Sequence, residues 1–487
     1  MTAKKFDPQA ELVAKQQASL VRIDLLRPER GETVNAGITS VMPGLSLRSN
    51  FVWILTGNLV YAACQWGMIV ALAKLGSSFM VGQFSLGLAI ATPVLMFTNL
   101  HLRVIQATDA RRSYSFTEYL KLRLVMTLTA MAVIAGIAWC GHYERRTAMV
   151  ILVVALAKGI ETLSDIHYGL FQLNDRLDQT GRSMIIRGLL SAVALTGGLY
   201  LTRDLFHACI GLALVWLAAL LLFDVRRGRR LVARSKKCPN RTSWRPARSL
   251  GNRHLWNLLR LALPLGIMTT LVSINFNMPR YFIHAYMGEH QLGIFSAMLY
   301  ATVAITLISD SLGYCAIPRM SRLYAGGQFA EFRALLLKLL ALSSMIGLSA
   351  LAVVHVIGAP LLTIFYGPDY AAHSRAFSLL MLATSMYCVT CILTSGIMAA
   401  RCFKIQLPMF AIVSCSNALV CSRLVPTAGM LGGATAMVIS AAVHLILAAL
   451  LLNYLLLAPS THLTAFGRRP SASTIGDPAY DSSLGLS

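Results

Sequence analysis

Three charged residues lie close together inside a long apolar segment of this sequence. Lys158, Glu161 and Asp165 are spaced so that, on a helix turning about 100° per residue, they project within one sector of roughly 60°. A charged side chain inside a bilayer costs about 2.5–3.5 kcal/mol on insertion scales, so it needs a partner or water. The triplet therefore predicts a polar helix face that meets protein or a wet cavity.

The two acids of this triplet suggest proton chemistry. Glu161 and Asp165 share Lys158 as the only base of the triplet, so both are not expected to ionise comfortably and one is expected to hold a proton. A carboxyl group that exchanges its proton near neutral pH suits an ion-coupled transporter. The alternative is a structural Lys158–Glu161 pair, with Asp165 solvated near the inner end of the helix.

A second polar segment carries a cation next to a proline. Ser273, Asn277 and Arg280 lie at i, i+4 and i+7 on one helix face. Pro279 cannot donate its backbone hydrogen bond and leaves a carbonyl free one turn earlier. A kinked polar face of this kind suits an anion or a sugar. Alternatively, Arg280 extends its charged end to the outer membrane interface.

Other polar residues in apolar runs are weaker candidates. Asn58 and Gln65 share a helix face with Tyr61; they are candidates for substrate binding or for hydrogen bonds between helices. Asp310 is either an ion-coupling residue that faces a cation or a charge at the end of a helix. Arg103 lies near the predicted inner end of its segment.

Motifs for covalent catalysis are missing from the sequence. It contains no GxxxxGK[ST], HExxH or GxSxG pattern, and its predicted outer loops are too short for a catalytic domain. Cys388 and Cys391 form a CxxC without a second pair, so a zinc site is not predicted and the two thiols are interpreted as small buried groups. We expect neither a metal nor a cofactor.

The elements that position these residues must be membrane helices. Of the 487 residues, 56% are hydrophobic and 13% charged, whereas soluble domains are about one quarter charged. Runs of about 20 apolar residues predict an all-α polytopic membrane protein with about twelve spans. The predicted spans are 51–73, 80–100, 122–141, 148–171, 184–202, 204–224, 258–284, 291–316, 336–358, 376–399, 405–422 and 430–456.

The net charge of +23 is explained by topology. Most Lys and Arg residues fall on one side of the predicted spans, which places both termini in the cytoplasm. No soluble segment is long enough for a basic nucleic-acid-binding face. The break at 226–253 holds many basic residues and no acid. It is predicted to be a topological linker lying against anionic lipid headgroups, or else a docking site for a partner.

The two halves of the chain resemble each other. Gly82-x-Phe84-Ser85 opens the second predicted span, and Gly293-x-Phe295-Ser296 opens the eighth after a shift of 211 residues. Such a parallel repeat is typical of transporters that bind between two lobes. The predicted domains are an N-terminal tail (1–49), a first six-helix lobe (50–225), the basic linker (226–256), a second six-helix lobe (257–458) and a C-terminal tail (459–487), with both tails cytoplasmic.

Several stretches are similar to the polysaccharide repeat-unit flippases of the multidrug/oligosaccharidyl-lipid/polysaccharide exporter superfamily. The resemblance covers about residues 50–190 and 262–325. It is carried by GNLVYAACQWGMIVALAKLG (57–76), VGQFSLGLAIATPV (81–94), NLHLRVIQATDARRSY (99–114), AKGIETLSDIHYGLFQLNDRLD (157–178), NMPRYFI (277–283) and IPRMSRLYA (317–325).

The resemblance implies a pair of six-helix lobes that export undecaprenyl-pyrophosphate-linked oligosaccharide by alternating access, coupled to protons. The cationic cavity of such proteins would correspond to Lys158 and Arg280, with Arg103 at the inner mouth, and the coupling acids to Glu161 and Asp165. A polysaccharide polymerase is a possible partner. The alternatives are a cation-coupled multidrug exporter and, from another class, a polyprenyl-dependent membrane glycosyltransferase.

Overall fold

The computed structural model describes residues 47–109, 114–236, 251–400 and 403–457. These residues form helices and no strand. The predicted tails, including a surface helix expected around residues 10–26, and most of the basic linker lie outside the described residues. The helices are α1 (Leu47–Leu75), α2 (Ser78–Asn99), α3 (Leu102–Thr108), α4 (Phe116–Cys140), α5 (Arg145–Leu173), α6 (Leu177–Thr202), α7 (Leu205–Ala219), α8 (Arg226–Lys236), α9 (Gly251–Ala325), α10 (Phe329–Phe365), α11 (Pro368–Ala371), α12 (Ser374–Ala399) and α13 (Phe403–Leu457).

Ten helical segments of the described residues are long and apolar enough to cross a membrane. This confirms an all-α polytopic membrane protein. Two of the segments, Leu255–Ala325 and Ile405–Leu457, contain 71 and 53 residues. A straight helix of 71 residues would be about 106 Å long, whereas the hydrocarbon core is about 30 Å thick.

Each of these two long helices is broken at one glycine. Gly288 and Gly429 have φ values of 78° and 59°, in the left-handed region that glycine enters without steric cost. The chain folds back at both positions. The guanidinium of Arg280 lies 5.5 Å from the ring centroid of Tyr300, although residues 280 and 300 of a straight helix would be about 30 Å apart. The breaks fall between the seventh and eighth and between the eleventh and twelfth predicted spans; the total of twelve stays a prediction.

The chain divides into two compact units, which are described separately. The first comprises the described residues of Met1–Asn277 and Met287–Ala297, and the second those of Met278–Tyr286 and Met298–Ser487. The first unit therefore includes parts of α9 on both sides of a short piece that belongs to the second. The charged triplet of α5 lies in the first unit.

In the first unit, α1 and α6 touch backbone to backbone at two glycines. A Cβ on Gly57 would lie 2.7 Å from the Cα of Gly181, and a Cβ on Gly181 would lie 2.3 Å from the carbonyl oxygen of Trp53. Small residues at such crossings are common in membranes, where close van der Waals packing drives helix association. The contact holds α1 beside α6.

The chain between α2 and α4 places Arg103 near α5 and leads into α4, which carries Arg123. Leu100 and His101 have φ values of 51° and 52° and separate α2 from the short helix α3, which carries Arg103. A capping box then starts α4: the Ser115 hydroxyl accepts from the Glu118 amide, and the Glu118 carboxylate accepts from the Ser115 amide at 2.7 Å. Together these caps satisfy two of the free amides at the start of α4.

The repeated glycines of the two GxFS motifs meet in the first unit. A Cβ on Gly82 would lie 1.8 Å from the carbonyl oxygen of Glu289, and a Cβ on Gly293 would lie 1.8 Å from that of Ser78. The shift of 211 residues converts Ser78 into Glu289 and Gly82 into Gly293. The contact between α2 and α9 is therefore locally two-fold symmetric, with equivalent residues exchanging roles, as expected for a parallel repeat.

Candidate functional site

Lys158 and Glu161 form an ion pair in the middle of α5. The Lys158 Nζ lies 2.8 Å from Glu161 Oε2, and the hydroxyl of Tyr61 on α1 donates to Oε1 of the same carboxylate. Lys158 Nζ also lies 5.2 Å from the ring centroid of Trp216 on α7, where the π-face attracts a cation. Three helices thus hold this pair.

Asp165 has cations of its own. Its Oδ1 lies 3.2 Å from the Arg103 guanidinium and its Oδ2 lies 3.4 Å from that of Arg123; Arg123 also donates to the Asn99 side chain. The expectation that Glu161 and Asp165 share Lys158 was wrong, as was a simply solvated Asp165. The helical spacing of α5 describes one face only, and the arginines come from α3 and α4.

A further ion pair, absent from the sequence-based candidates, is sealed inside the first unit. Arg187 of α6 lies 3.0 Å from Asp224, and their side chains are 2% and 0% exposed. Ser183 donates to the other Asp224 oxygen at 2.7 Å, and Arg187 also donates to Ser164. Asp224 lies on a π-helical turn, Leu220–Val225, that continues α7; such turns are often found at functional sites.

Three members of these ion pairs were not predicted because of where they lie in the sequence. Arg123, Arg187 and Asp224 all lie near the ends of predicted apolar runs, where a charge is ordinarily assigned to a loop. The structure places all three inside helices. One signal for this ion pair was available in the sequence. The predicted span 184–202 contains Arg187 near one end, and the next span, 204–224, ends on the acid Asp224.

Tyr168 joins the ion pairs. Its ring centroid lies 5.5 Å from the guanidinium carbon of Arg103 and 5.8 Å from that of Arg187, and its hydroxyl is 2.8 Å from the Ser183 hydroxyl. The guanidinium carbon of Arg187 also lies 5.9 Å from the ring centroid of Trp216, which contacts Lys158. We use the name charged network for the ion-paired residues that these aromatic contacts connect. They are Arg103, Arg123, Lys158, Glu161, Asp165, Arg187 and Asp224.

The charged network has a dry part and an accessible part. Arg123, Arg187 and Asp224 are at most 2% exposed, whereas Lys158, Glu161, Asp165 and Arg103 keep 25%, 27%, 30% and 31% of their side-chain surface exposed. Because a charge facing hydrocarbon is costly, the exposed surfaces are expected to face water. Four charges can therefore meet a polar ligand while three are held rigidly behind them.

The candidates of α1 are placed differently from one another. Asn58 is exposed, Gln65 is half-buried, and Tyr61 between them makes the contact with Glu161. The buried amide nitrogen of Gln65 has no hydrogen-bond partner among the described residues. The side chain of Asn58 lies on the exposed surface. Substrate binding and hydrogen bonding between helices both stay predictions for Asn58 and Gln65.

Asn277 and Arg280 are both buried, with exposures of 3% and 5%. Asn277 belongs to the first unit and donates to the Ser273 carbonyl one turn earlier at 2.8 Å. Arg280 belongs to the second unit, where the chain reversal at Gly288 brings Tyr300 against its guanidinium. The alternative that Arg280 extends to the membrane interface was wrong, because its side chain is covered by protein.

Asp310 lies within the second unit and faces neutral donors. The Tyr387 hydroxyl donates to it at 3.1 Å and the Cys391 thiol at 3.2 Å. Because α9 continues to Ala325, the interpretation of Asp310 as a helix-end charge was wrong. Cys388 is buried as expected, whereas Cys391 is a hydrogen-bond donor. Among the described residues, no group of three or more His, Cys, Asp or Glu is arranged to hold a metal ion.

The comparisons with known proteins decide the family. The model of a family described as polysaccharide biosynthesis protein matches residues 47–324, which include the whole charged network. The chain belongs to the polysaccharide biosynthesis protein family. The capsular polysaccharide biosynthesis protein CapF of Staphylococcus aureus is 25% identical over 411 residues, which cover 82% of this chain and 97% of CapF.

Solved structures show the fold of this family member. The lipid II flippase MurJ in an inward closed conformation matches with a TM-score of 0.61 and 12% identity, covering 82% of this chain and 87% of MurJ. An inward-facing multidrug resistance MATE family transporter of the MOP superfamily matches with a TM-score of 0.59 and 14% identity, covering 86% of this chain and 96% of the transporter. The chain is a multi-pass membrane protein with the MATE and MurJ fold, and the resemblance seen in the sequence is confirmed.

Proposed function

We propose that this protein is a flippase that moves undecaprenyl-pyrophosphate-linked oligosaccharide units from the inner to the outer leaflet for surface polysaccharide synthesis. The charged network carries the proposal. Its accessible cations, Lys158 and Arg103, offer charge-assisted hydrogen bonds to a pyrophosphate. The dry Arg187–Asp224 pair fixes the helices behind them.

Family and fold point to the same class of substrate. The family is named for polysaccharide biosynthesis and MurJ is named a lipid II flippase, so a lipid-linked glycan suits both descriptions. We assign Arg280, Asn277, Asn58 and Gln65 as further substrate-contacting residues. In this proposal the protein moves its substrate by alternating access and changes no covalent bond. It lies in a bacterial inner membrane with both termini in the cytoplasm, and it delivers the lipid-linked units to a polysaccharide polymerase.

Replacing Lys158 tests the proposal. We expect Lys158→Ala to abolish surface polysaccharide and to accumulate inward-facing lipid-linked units, because the accessible cation is lost and Glu161 is left without its ion partner. The readouts are surface glycan staining and leaflet-specific labelling of the lipid-linked units. The control is Lys74→Ala, which removes an exposed lysine at the end of α1. Normal polymer in Lys158→Ala cells that contain wild-type amounts of protein would contradict the proposal.

Proton coupling is proposed through Glu161, with Asp165 and Asp310 as further acids. The Glu161 carboxylate holds Lys158 through Oε2 and Tyr61 through Oε1, and a proton on this carboxyl would release Lys158 toward the substrate. In reconstituted vesicles an imposed pH gradient is expected to accelerate flipping several-fold, and Glu161→Gln is expected to remove this acceleration while leaving the protein folded. A wild-type rate that is unaffected by the gradient would exclude coupling.

A cation-coupled multidrug exporter is the second candidate, because the MATE transporters share the fold at similar TM-scores. Dye efflux that depends on this protein, together with intact glycan export in its absence, would favour that function. The two functions are separable because each assay reports one substrate class.

A further inference from the structure

The short helix α8 begins about one membrane thickness after the start of α7. From Leu205 to Val225 the chain is helical, a length of about 31 Å that matches the hydrocarbon core. α8 follows without interruption and reads RRGRRLVARSK, with no acid. Its arginines therefore lie at the level of the lipid headgroups.

Arginines from α8 and from the start of α6 gather on one surface. Arg226, Arg229 and Arg230 are exposed. Arg227 donates to the side-chain oxygen of Gln179 near the start of α6, so α8 lies against the segment of α6 that carries Arg182. None of the three exposed α8 arginines forms an ion pair with any residue that the structure describes.

The nearby acids are largely occupied. The Asp178 carboxylate is held by Arg176 at 2.9 and 3.1 Å and by the Gln179 amide at 2.6 Å. Asp224 is paired with Arg187 inside the protein. Asp175 is a further acid next to the start of α6, and its side chain is exposed. The surface therefore keeps a clear surplus of positive charge.

An aromatic side chain completes this surface. The Arg182 guanidinium lies 4.9 Å from the ring centroid of Trp53 on α1, and the contact between Gly57 and Gly181 fixes these two helices beside each other. Tryptophan is favoured at membrane interfaces, where its ring lies among the headgroups. The Arg182 guanidinium and the Trp53 ring are thus expected to lie at the same depth in the bilayer.

We propose that the α8 surface, formed by Trp53, Arg182, Arg226, Arg229 and Arg230, binds the phosphate headgroups of anionic phospholipids such as phosphatidylglycerol and cardiolipin. Guanidinium groups bind phosphate oxygens through paired, charge-assisted hydrogen bonds, and clustered arginines beside a span attract anionic lipid. The position beside Trp53 favours a lipid over a soluble anion. This site is separate from the charged network and does not depend on the proposed transport.

The test uses the purified full chain in bilayer discs of phosphatidylcholine with and without phosphatidylglycerol. Bound phosphatidylglycerol is counted by native mass spectrometry after extraction, and its affinity is taken from a titration. We expect Arg229→Gln/Arg230→Gln to weaken the affinity for phosphatidylglycerol about 30-fold, which corresponds to about 2 kcal/mol for the two arginines together. The matched control is Arg145→Gln/Arg146→Gln, an exposed arginine pair at the start of α5.

The outcomes separate the alternatives. The lipid site is supported if phosphatidylglycerol binding is lost in the α8 variant and in Arg182→Gln but not in the control. The difference between these variants and the wild type is expected to disappear at high salt. Equal loss in both arginine pairs, or loss in neither, overturns it. Displacement of the lipid by millimolar inorganic pyrophosphate would also overturn it, because the surface would then bind soluble phosphates. All the substituted side chains are exposed, so folding is not expected to limit the measurement.

Discussion

Arg187 and Asp224 show how an ion pair can be structural within a site for charged ligands. Both side chains are closed off from solvent, and serine hydroxyls from α5 and α6 complete their hydrogen bonding. A buried pair of this kind is stable only while both charges remain. Its role is to hold α6 and the π-helical turn after α7 against the back of the accessible charges.

Removing one member of this pair has a predictable cost. Arg187→Met leaves Asp224 buried without its cation, and we expect a loss of about 3–5 kcal/mol in the free energy of unfolding. The measurement is thermal unfolding of the purified protein. Because replacing both partners with apolar residues of similar size is often neutral, Arg187→Met/Asp224→Leu is expected to recover most of this loss. A double variant as unstable as the single one would contradict this account.

The triplet of α5 could be predicted from its own sequence, but its partners could not. Helical spacing fixes which residues of one helix share a face, and the structure confirms polar partners for all three. Which cation pairs with which acid depends on the packing of α3, α4 and α6 against α5. That information lies in contacts between residues distant in the chain, such as Arg103 with Asp165.

At the scale of elements, the glycine contact between α1 and α6 controls how closely these helices pack. At Gly181 the nearest atoms are backbone, so a neighbouring side chain cannot move aside. We expect Gly181→Ala to separate the helices and to reduce the free energy of unfolding by about 1–3 kcal/mol, as overpacking does. Thermal unfolding is again the measurement.

The control for this change is Gly136→Ala on α4. A Cβ at Gly136 would meet no atom within 4 Å, so this change is expected to be neutral or to stabilise by up to about 1 kcal/mol through helix propensity. Equal effects of Gly181→Ala and Gly136→Ala on the free energy of unfolding would show that the close approach of α1 to α6 does not limit stability.

Element boundaries were partly predictable. Apolar runs identify the spans because lipid requires every backbone group to be satisfied within a helix. The turns at Gly288 and Gly429 both fall in gaps between predicted spans, where polar residues such as Glu289 and Arg423 interrupt the apolar runs. That each turn is only one residue wide in its non-helical conformation was not foreseeable from composition. The π-helical turn at Asp224 was not foreseeable either, since the sequence continues apolar on its N-terminal side.

At the scale of the whole molecule, the internal repeat has a structural counterpart. Few residue identities support the shift of 211 residues in the sequence. The same shift nevertheless relates the α2 residues of the α2–α9 contact to the α9 residues that they touch. Close backbone approach demands glycine at both positions, which explains why these residues recur while their surroundings diverge. The boundaries of the two units within α9, after residues 277, 286 and 297, were in contrast not readable from the motifs.

This symmetry makes a paired prediction. Gly82→Ala and Gly293→Ala each place a methyl group against a carbonyl oxygen of the partner helix, so both are expected to open the α2–α9 contact to a similar degree. Thr147 lies at this contact and donates to Glu289 at 2.6 Å. A cysteine at position 147, in a background without native cysteines, is expected to react faster with an impermeant maleimide in both variants.

For this prediction, Gly197→Ala is the comparison, because a Cβ there meets open space. Unchanged labelling in both glycine variants would mean that the contact tolerates a methyl group. A change in only one of them would show that the two positions are not equivalent.

The single-residue turns at Gly288 and Gly429 also constrain biogenesis. Once both flanking helices have formed, the turn leaves no slack between them. We therefore expect the two members of each pair to settle in the bilayer together, as a helical hairpin.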